Sequence, residues 1–113
     1  MIKPRIYIAG PMRGYEEFNE DAFIRADDFL VELGFEVVNP FEIGKGFGLP
    51  SEIQESPEIL KRLMDFELAA VKSCDAIFLL HGWEKSQGAR AELRVALDCN
   101  LEIHTEDSVD LLT

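Results

Sequence analysis

Ile77-Phe78-Leu79-Leu80-His81-Gly82-Trp83-Glu84-Lys85-Ser86-Gln87-Gly88-Ala89-Arg90-Ala91-Glu92-Leu93 is a short apolar run that gives out into a Gly-containing turn and then a helix pattern. Glu92 stands in the second turn of that helix, counted from Ser86 as the cap. An open α/β sheet presents its chemistry in this way, with ligands beyond the carboxyl ends of strands and near helix N-termini. The stretch predicts a strand over 75–80 and a helix over about 86–99. It also marks Glu92 as a candidate reacting group and Ser86 to Gly88 as a candidate anion site.

Outward from that unit the chain repeats the same alternation. Ile6-Tyr7-Ile8-Ala9 is apolar and β-rich and is stopped by Gly10-Pro11, which predicts a first strand. Its continuous hydrophobicity suits a strand covered on both faces. From about Tyr15 to Leu33 the residues Phe18, Ala22, Ala26, Phe29, Leu30 and Leu33 recur at helical spacing, and Gly34 is placed as a C-cap. Phe35-Glu36-Val37-Val38 predicts a second strand. Residues 41–57, with Gly44, Gly46 and Gly48 interleaved and Pro50 and Pro57 bracketing an acidic stretch, have the composition of a long loop, either a flap over a site or plain surface. A helix over 57–73 follows, with Ile59, Leu63, Phe66, Ala70 and Val71 on its apolar stripe. Leu101-Glu102-Ile103-His104 predicts a last short strand, and the tail from Thr105 to Thr113 is acidic. The order β-α-β-loop-α-β-α-β predicts a single α/β domain over 1–113: a doubly wound, Rossmann- or flavodoxin-like parallel sheet of about four to five strands with helices on both faces.

Bulk properties narrow the function classes. The chain has 113 residues, 47% hydrophobic and 29% charged, which is ordinary for a globular domain with a core of its own. A net charge of −11 repels phosphate backbones and argues against a nucleic-acid partner. A small anionic ligand held by a few local donors remains compatible with it. No apolar run is long enough for a membrane span. Met1-Ile2-Lys3-Pro4-Arg5 leads straight into a strand pattern without a signal-peptide core, so a cytoplasmic protein is expected. Cys74 and Cys99 lie among apolar residues and are expected to be buried free thiols. His81 and His104 have no companions at ligand spacing, so neither a metal nor a cofactor is expected.

Several residues carry possible chemistry, each beside a plainer use. In Gly10-Pro11-Met12-Arg13-Gly14, Arg13 is placed at the end of the first strand to meet a phosphate or carboxylate, or it is a surface arginine in a turn. Ser86 with Gly88 at a helix start fits an anion, or a simple N-cap. Glu92, among the small residues Ala89, Ala91 and Ala96, fits a nucleophile, or an exposed glutamate paired with Arg90 or Arg94. Asp65 and Glu67 fit a second carboxyl group facing Glu92, or solvated helix charges, and Asp75 stands at the mouth of the third strand. Tyr7 fits a partner for the reacting carboxylate, or a core tyrosine. Trp83 lines a pocket or covers the strand end.

Taken together, Ile6-Tyr7-Ile8-Ala9-Gly10-Pro11-Met12-Arg13-Gly14 and Cys74-Asp75-Ala76-Ile77 through Gly82-Trp83-Glu84-Lys85-Ser86-Gln87-Gly88-Ala89-Arg90-Ala91-Glu92 resemble the nucleoside 2-deoxyribosyltransferase-like superfamily. The match is to its small, often phage- or prophage-associated branch, over about residues 5 to 103. The superfamily includes base-exchanging transferases and hydrolases of nucleoside 5′-monophosphates. The resemblance implies that Glu92 is the nucleophile towards the sugar C1′ and that Tyr7 contacts its carboxylate. It implies that Gly10, Met12, Arg13 and Gly14, and Ser86 with Gly88, hold a nucleotide phosphate, with Asp75 and Trp83 also on the substrate side. Glu67 stands eight positions before Asp75, where the family carries an acidic residue, usually Asp, used towards the sugar or base. The implied activity is N-glycosidic hydrolysis of a (deoxy)nucleoside 5′-monophosphate, with base exchange or nucleotide binding alone as alternatives. A small-molecule nucleotide partner and a homo-oligomer, a dimer or larger, are expected on the same ground.

Overall fold

The structure, a computed structural model, describes residues 2–108. Four strands form one sheet: β1 Arg5–Ala9, β2 Glu36–Val38, β3 Ala76–Leu79 and β4 Glu102–Thr105. They are all parallel, in the order β2-β1-β3-β4. Five helices connect them: α1 Glu20–Glu32, α2 Pro40–Gly44, α3 Pro50–Glu55, α4 Pro57–Lys72 and α5 Gln87–Asp98. The α/β class and the parallel sheet are as expected.

Alternation along the central strands divides the interior into two layers. Ile6 and Ile8 of β1, with Ala76 and Phe78 of β3, face α1 through Ala22, Phe23, Ala26 and Leu30. Tyr7 and Ala9, with Ile77 and Leu79, face Val71 of α4 and Ala89 and Ala96 of α5. Both faces of β1 and β3 are therefore dry, which is why these strands read as unbroken apolar runs. The order reverses between β1 and β3, so the ends of these two strands open the crevice where such sheets take ligands.

Three expectations change. Residues 41–57 are not a plain loop: Asn39 Oδ1 caps α2 by accepting from the Phe41 N–H at 2.9 Å, and α3 begins at Pro50. Glycine content hid two helices of five and six residues, each started by a proline at a position where no N–H is needed. The first helix does not run from Tyr15. Glu16–Asn19 form a 3-10 turn in which Glu17, Phe18 and Asn19 have φ of 52°, 54° and 66° before α1 starts. Phe23 takes a buried place in the first layer while Leu33 is exposed. Cys74 is buried as expected, but Cys99, just past α5, is exposed. No helix among the described residues is long and apolar enough to cross a membrane. Residues 109–113 of the acidic tail lie outside the described residues. Glu106 and Asp107 fold onto His81, whose backbone N–H donates to Glu106 at 2.9 Å.

The close approach of β1 and β3 has a steric condition. The Leu80 N–H donates to the Ala9 carbonyl at 2.8 Å, and a Cβ on Gly10 would lie 2.7 Å from the Cβ of Leu80. That atom is fixed to the backbone and has nowhere to go. Gly10→Ala is expected to lower stability by roughly 1–3 kcal/mol, the range for overpacking a filled core. Urea unfolding measures it; a loss under about 0.5 kcal/mol would mean the strands separate freely.

Candidate active site

α4 and α5 lie side by side on the same sheet face, and each turns one glutamate inward. On α5 the Ser86 Oγ accepts from the Ala89 N–H at 3.1 Å and fixes the start of the helix. The buried positions are then Ala89, Glu92 and Ala96, one stripe at helical spacing. The two alanines let the helix approach the sheet closely, and Glu92, between them, is only 5% exposed. On α4 the Ser56 side chain accepts from the Ile59 N–H at 3.3 Å, and the inward positions include Glu67, 8% exposed, and Val71. Phe66, assigned from the sequence to the apolar stripe, is instead 58% exposed. Asp65 is exposed as a solvated helix charge, while Glu67 is not.

Beneath the two carboxyl groups lies Tyr7 of β1, fully buried. Its hydroxyl donates to Glu92 Oε2, and Glu67 lies near enough for its charge to act on both groups. Burial pushes Glu67 up to about 7, with the neighbouring Tyr7 hydroxyl opposing the rise. Burial, then the charge of Glu67, raises Glu92 well above the usual carboxylate range. Burial and the two carboxylates raise the Tyr7 phenol, which stays neutral at physiological pH. Two carboxyl groups sharing one dry site do not readily ionise together, so they titrate as a pair.

Above them opens a cleft of about 960 Å³. Gly10, Met12 and Arg13 line it from the end of β1; Ser86, Gly88 and Glu92 line it from α5; and Glu67 lines it from α4. The structure thus brings together seven residues singled out from sequence, with Tyr7 one layer below. Three others are elsewhere. Asp75 is exposed at the opposite edge of the sheet, where its Oδ2 accepts from the Arg5 N–H at 2.8 Å. In a parallel sheet the strand starts share one edge, so a residue before β3 is about a strand length from the cleft. Trp83 packs against the apolar layer around Tyr7 and does not line the cleft. Gly14 is exposed with φ +84° and also lies outside the lining.

Gln87, within the Ser86 to Gly88 stretch, lines the cleft too, while sequence reasoning missed Lys85 and Arg90, which line it beside Ser86. Arg90 had been considered only as an ion-pair partner for Glu92. A clearer signal was available: α5 has no acidic residue in its first turn, although α1 to α4 each have at least one. Acidic residues there complement the helix dipole, so cations in their place leave this helix start electropositive. Gly88 also has a spatial reason: a Cβ there would come 3.1 Å from the Met64 methyl, which leans over the helix start. Among the described residues no group of three or more His, Cys, Asp or Glu is placed to hold a metal.

The buried carboxyl groups tie stability to pH. Between the ordinary glutamate value of 4.5 and about 7, the folded chain keeps a proton on Glu67 that the unfolded chain has lost. Stability from this group is therefore full below the lower value and is lost as pH rises through the upper one. Glu67→Gln is expected to flatten the fall in unfolding free energy between about pH 5 and pH 7, by at most about 1.4 kcal/mol per unit. Denaturant titrations across that window measure the slope, and an unchanged slope would exclude Glu67 as the titrating group.

A search of curated proteins finds no match to the chain. The family model described as a domain of unknown function, DUF4406, matches residues 4–105, from just before β1 to the last residue of β4. The sheet, both carboxylate-bearing helices and the cleft all fall inside that span, and the chain belongs to the DUF4406 family.

Proposed function

We propose that the protein is an N-glycosidase that hydrolyses the base–sugar bond of a (deoxy)nucleoside 5′-monophosphate, with Glu92 as the nucleophile. The observation that carries this is the pair of buried carboxyl groups, Glu67 and Glu92, with Tyr7 bonded to Glu92, at the floor of a cleft whose rim holds Arg13, Lys85 and Arg90. A dry pair of carboxyl groups with separated proton affinities is what glycosidic cleavage uses. Cations and the free N–H groups of a capped helix start suit a phosphate.

In this reaction Glu92 acts as the carboxylate, which the hydrogen bond from Tyr7 to its Oε2 favours, while Glu67 carries the proton that the pair shares. The phosphate then lies against Arg13, Ser86 and Gly88, and C1′ lies over Glu92. A Glu92 oxygen forms a bond to C1′ as the C1′–N bond breaks, the electron pair leaving with the base while Glu67 delivers a proton to it. Water next attacks C1′, the bond to Glu92 breaks, and Glu67 takes up the water proton. A second base in place of water would make the same site a base-exchange transferase. The glutamate in place of the family's aspartate lengthens the acid by one methylene, and its burial in the cleft floor keeps it facing the same space.

The resemblance that suggests this chemistry also carries the expectation of a homo-oligomer, and the free thiols of Cys74 and Cys99 suit a reducing, cytoplasmic setting. Light scattering at micromolar concentration tests the first, with a dimer or larger species expected and a monomer overturning it.

Chromatography of reactions with the common nucleoside and deoxynucleoside monophosphates is expected to show free base from at least one. Glu92→Ala should reduce release by at least about a thousandfold, as for loss of a nucleophile. If wild type releases no base but nucleotides raise its melting temperature, the site is a binding module. Arg13→Ala should weaken binding of the monophosphate about tenfold or more while leaving the nucleoside little changed. Equal losses for both ligands would remove the phosphate from Arg13.

A further inference from the structure

A second cavity of about 660 Å³ adjoins the cleft, and Met12, Pro40, Leu63 and Glu67 line both. The phosphate-facing groups lie on the first side only, and so does Glu92. A nucleotide with its phosphate at Arg13 and C1′ at Glu92 has its base on the remaining side, past Glu67. We propose that this second cavity receives the leaving base and selects bases with an exocyclic amino group over their oxo counterparts, cytosine over uracil and adenine over hypoxanthine. This rests on the N-glycosidase reading and adds to it the class of base.

The walls supply the two things a base edge meets. Phe41, locked edge-to-face on the buried Phe23 with ring centroids 5.1 Å apart, gives a fixed flat surface, and Phe18 lines the same space. Phe18 belongs to the turn in which three successive non-glycine residues are left-handed, a conformation that costs roughly 1–2 kcal/mol per residue. Asn19 Nδ2, donating to the Pro11 carbonyl at 2.9 Å, ties that turn to the cleft. The polar part of the lining carries the carboxylates of Glu17, Glu20 and Glu52, the last of which also accepts from the Leu49 N–H at 3.1 Å, beside the Ser51 hydroxyl. Lys45, the one cation among the described lining residues, pairs with Glu42 at 3.0 Å on the exposed side. Ionised carboxylates accept hydrogen bonds and cannot donate them. An amino group on the base therefore finds partners, while a carbonyl oxygen in the same place meets lone pairs.

Cytosine and uracil are nearly isosteric and differ at this edge in NH₂ against O, so they isolate the effect. The ratio of kcat/KM for base release from cytidine and uridine 5′-monophosphates, in the ribo and deoxyribo series, is expected to favour cytosine by about tenfold to a hundredfold. In Glu17→Gln/Glu20→Gln/Glu52→Gln, whose amides both donate and accept, the ratio should fall towards one. Equal rates on the two nucleotides, or an unchanged ratio in the triple variant, would overturn the selectivity and leave the glycosidase standing. If no nucleotide loses its base, the catalytic reading has failed instead. Binding of free cytosine and uracil to the wild-type chain, followed by NMR titration, then decides the cavity by itself: tighter cytosine supports it, and equal affinity overturns it.

Discussion

Two carboxyl groups and a phenol share one dry position on a face of the parallel sheet, and the arrangement of the molecule depends on holding them there. An isolated buried carboxylate would be intolerable, and the pair survives because a proton and the Tyr7–Glu92 hydrogen bond stand in for water. Keeping that position dry requires both faces of the central strands to be covered. α1 closes one side, while α4 and α5 close the other through small or slender side chains. The same small side chains on α5 bring Glu92 within reach of a residue inside β1.

Charge is distributed to match. A chain with a net charge of −11 gathers Arg13, Lys85 and Arg90 around one cleft and leaves the start of α5 without an acidic residue. At short range a few directed donors outweigh a diffuse negative field, which screening weakens further beyond about 10 Å. The cleft is thus a local reversal of sign on an acidic protein. The adjoining cavity has the opposite lining, acceptors on apolar walls, so that Glu67 stands where a cationic and an anionic environment meet. A ligand with a phosphate at one end and a flat amino-bearing ring at the other spans that boundary naturally.

Much of this architecture was legible along the chain. Ile6 to Ala9 and Ala76 to Leu80 are continuous apolar runs because both faces of their strands are buried, and each is ended by residues that break a strand. Ser86 marks its helix start because a serine oxygen satisfies an orphan N–H wherever such a helix begins. These are local causes acting over a few residues, so the strands, the longer helices between them, their order and the parallel sheet were determined by sequence. So was the pairing of the Gly10 turn with the Ser86 turn, since strand ends share one edge of a parallel sheet.

What distance in the chain separates, only tertiary packing decided. Hydropathy places Phe66 inside and Glu67 outside, and the structure does the reverse: Glu67 sits beside Glu92 and Tyr7, neighbours that no periodicity records. Asp75 looked like a site residue by its nearness to β3, yet the direction of the strand puts it at the far edge. The helices hidden in residues 41–57 formed because Asn39 and prolines set their starts, and they became one wall of the second cavity only by folding beside α4. Sequence alone thus settled the four strands, the longer helices between them and which strand ends open the cleft. The burial that gives Glu67 and Glu92 their proton affinities exists only once helices distant in sequence have closed over Tyr7.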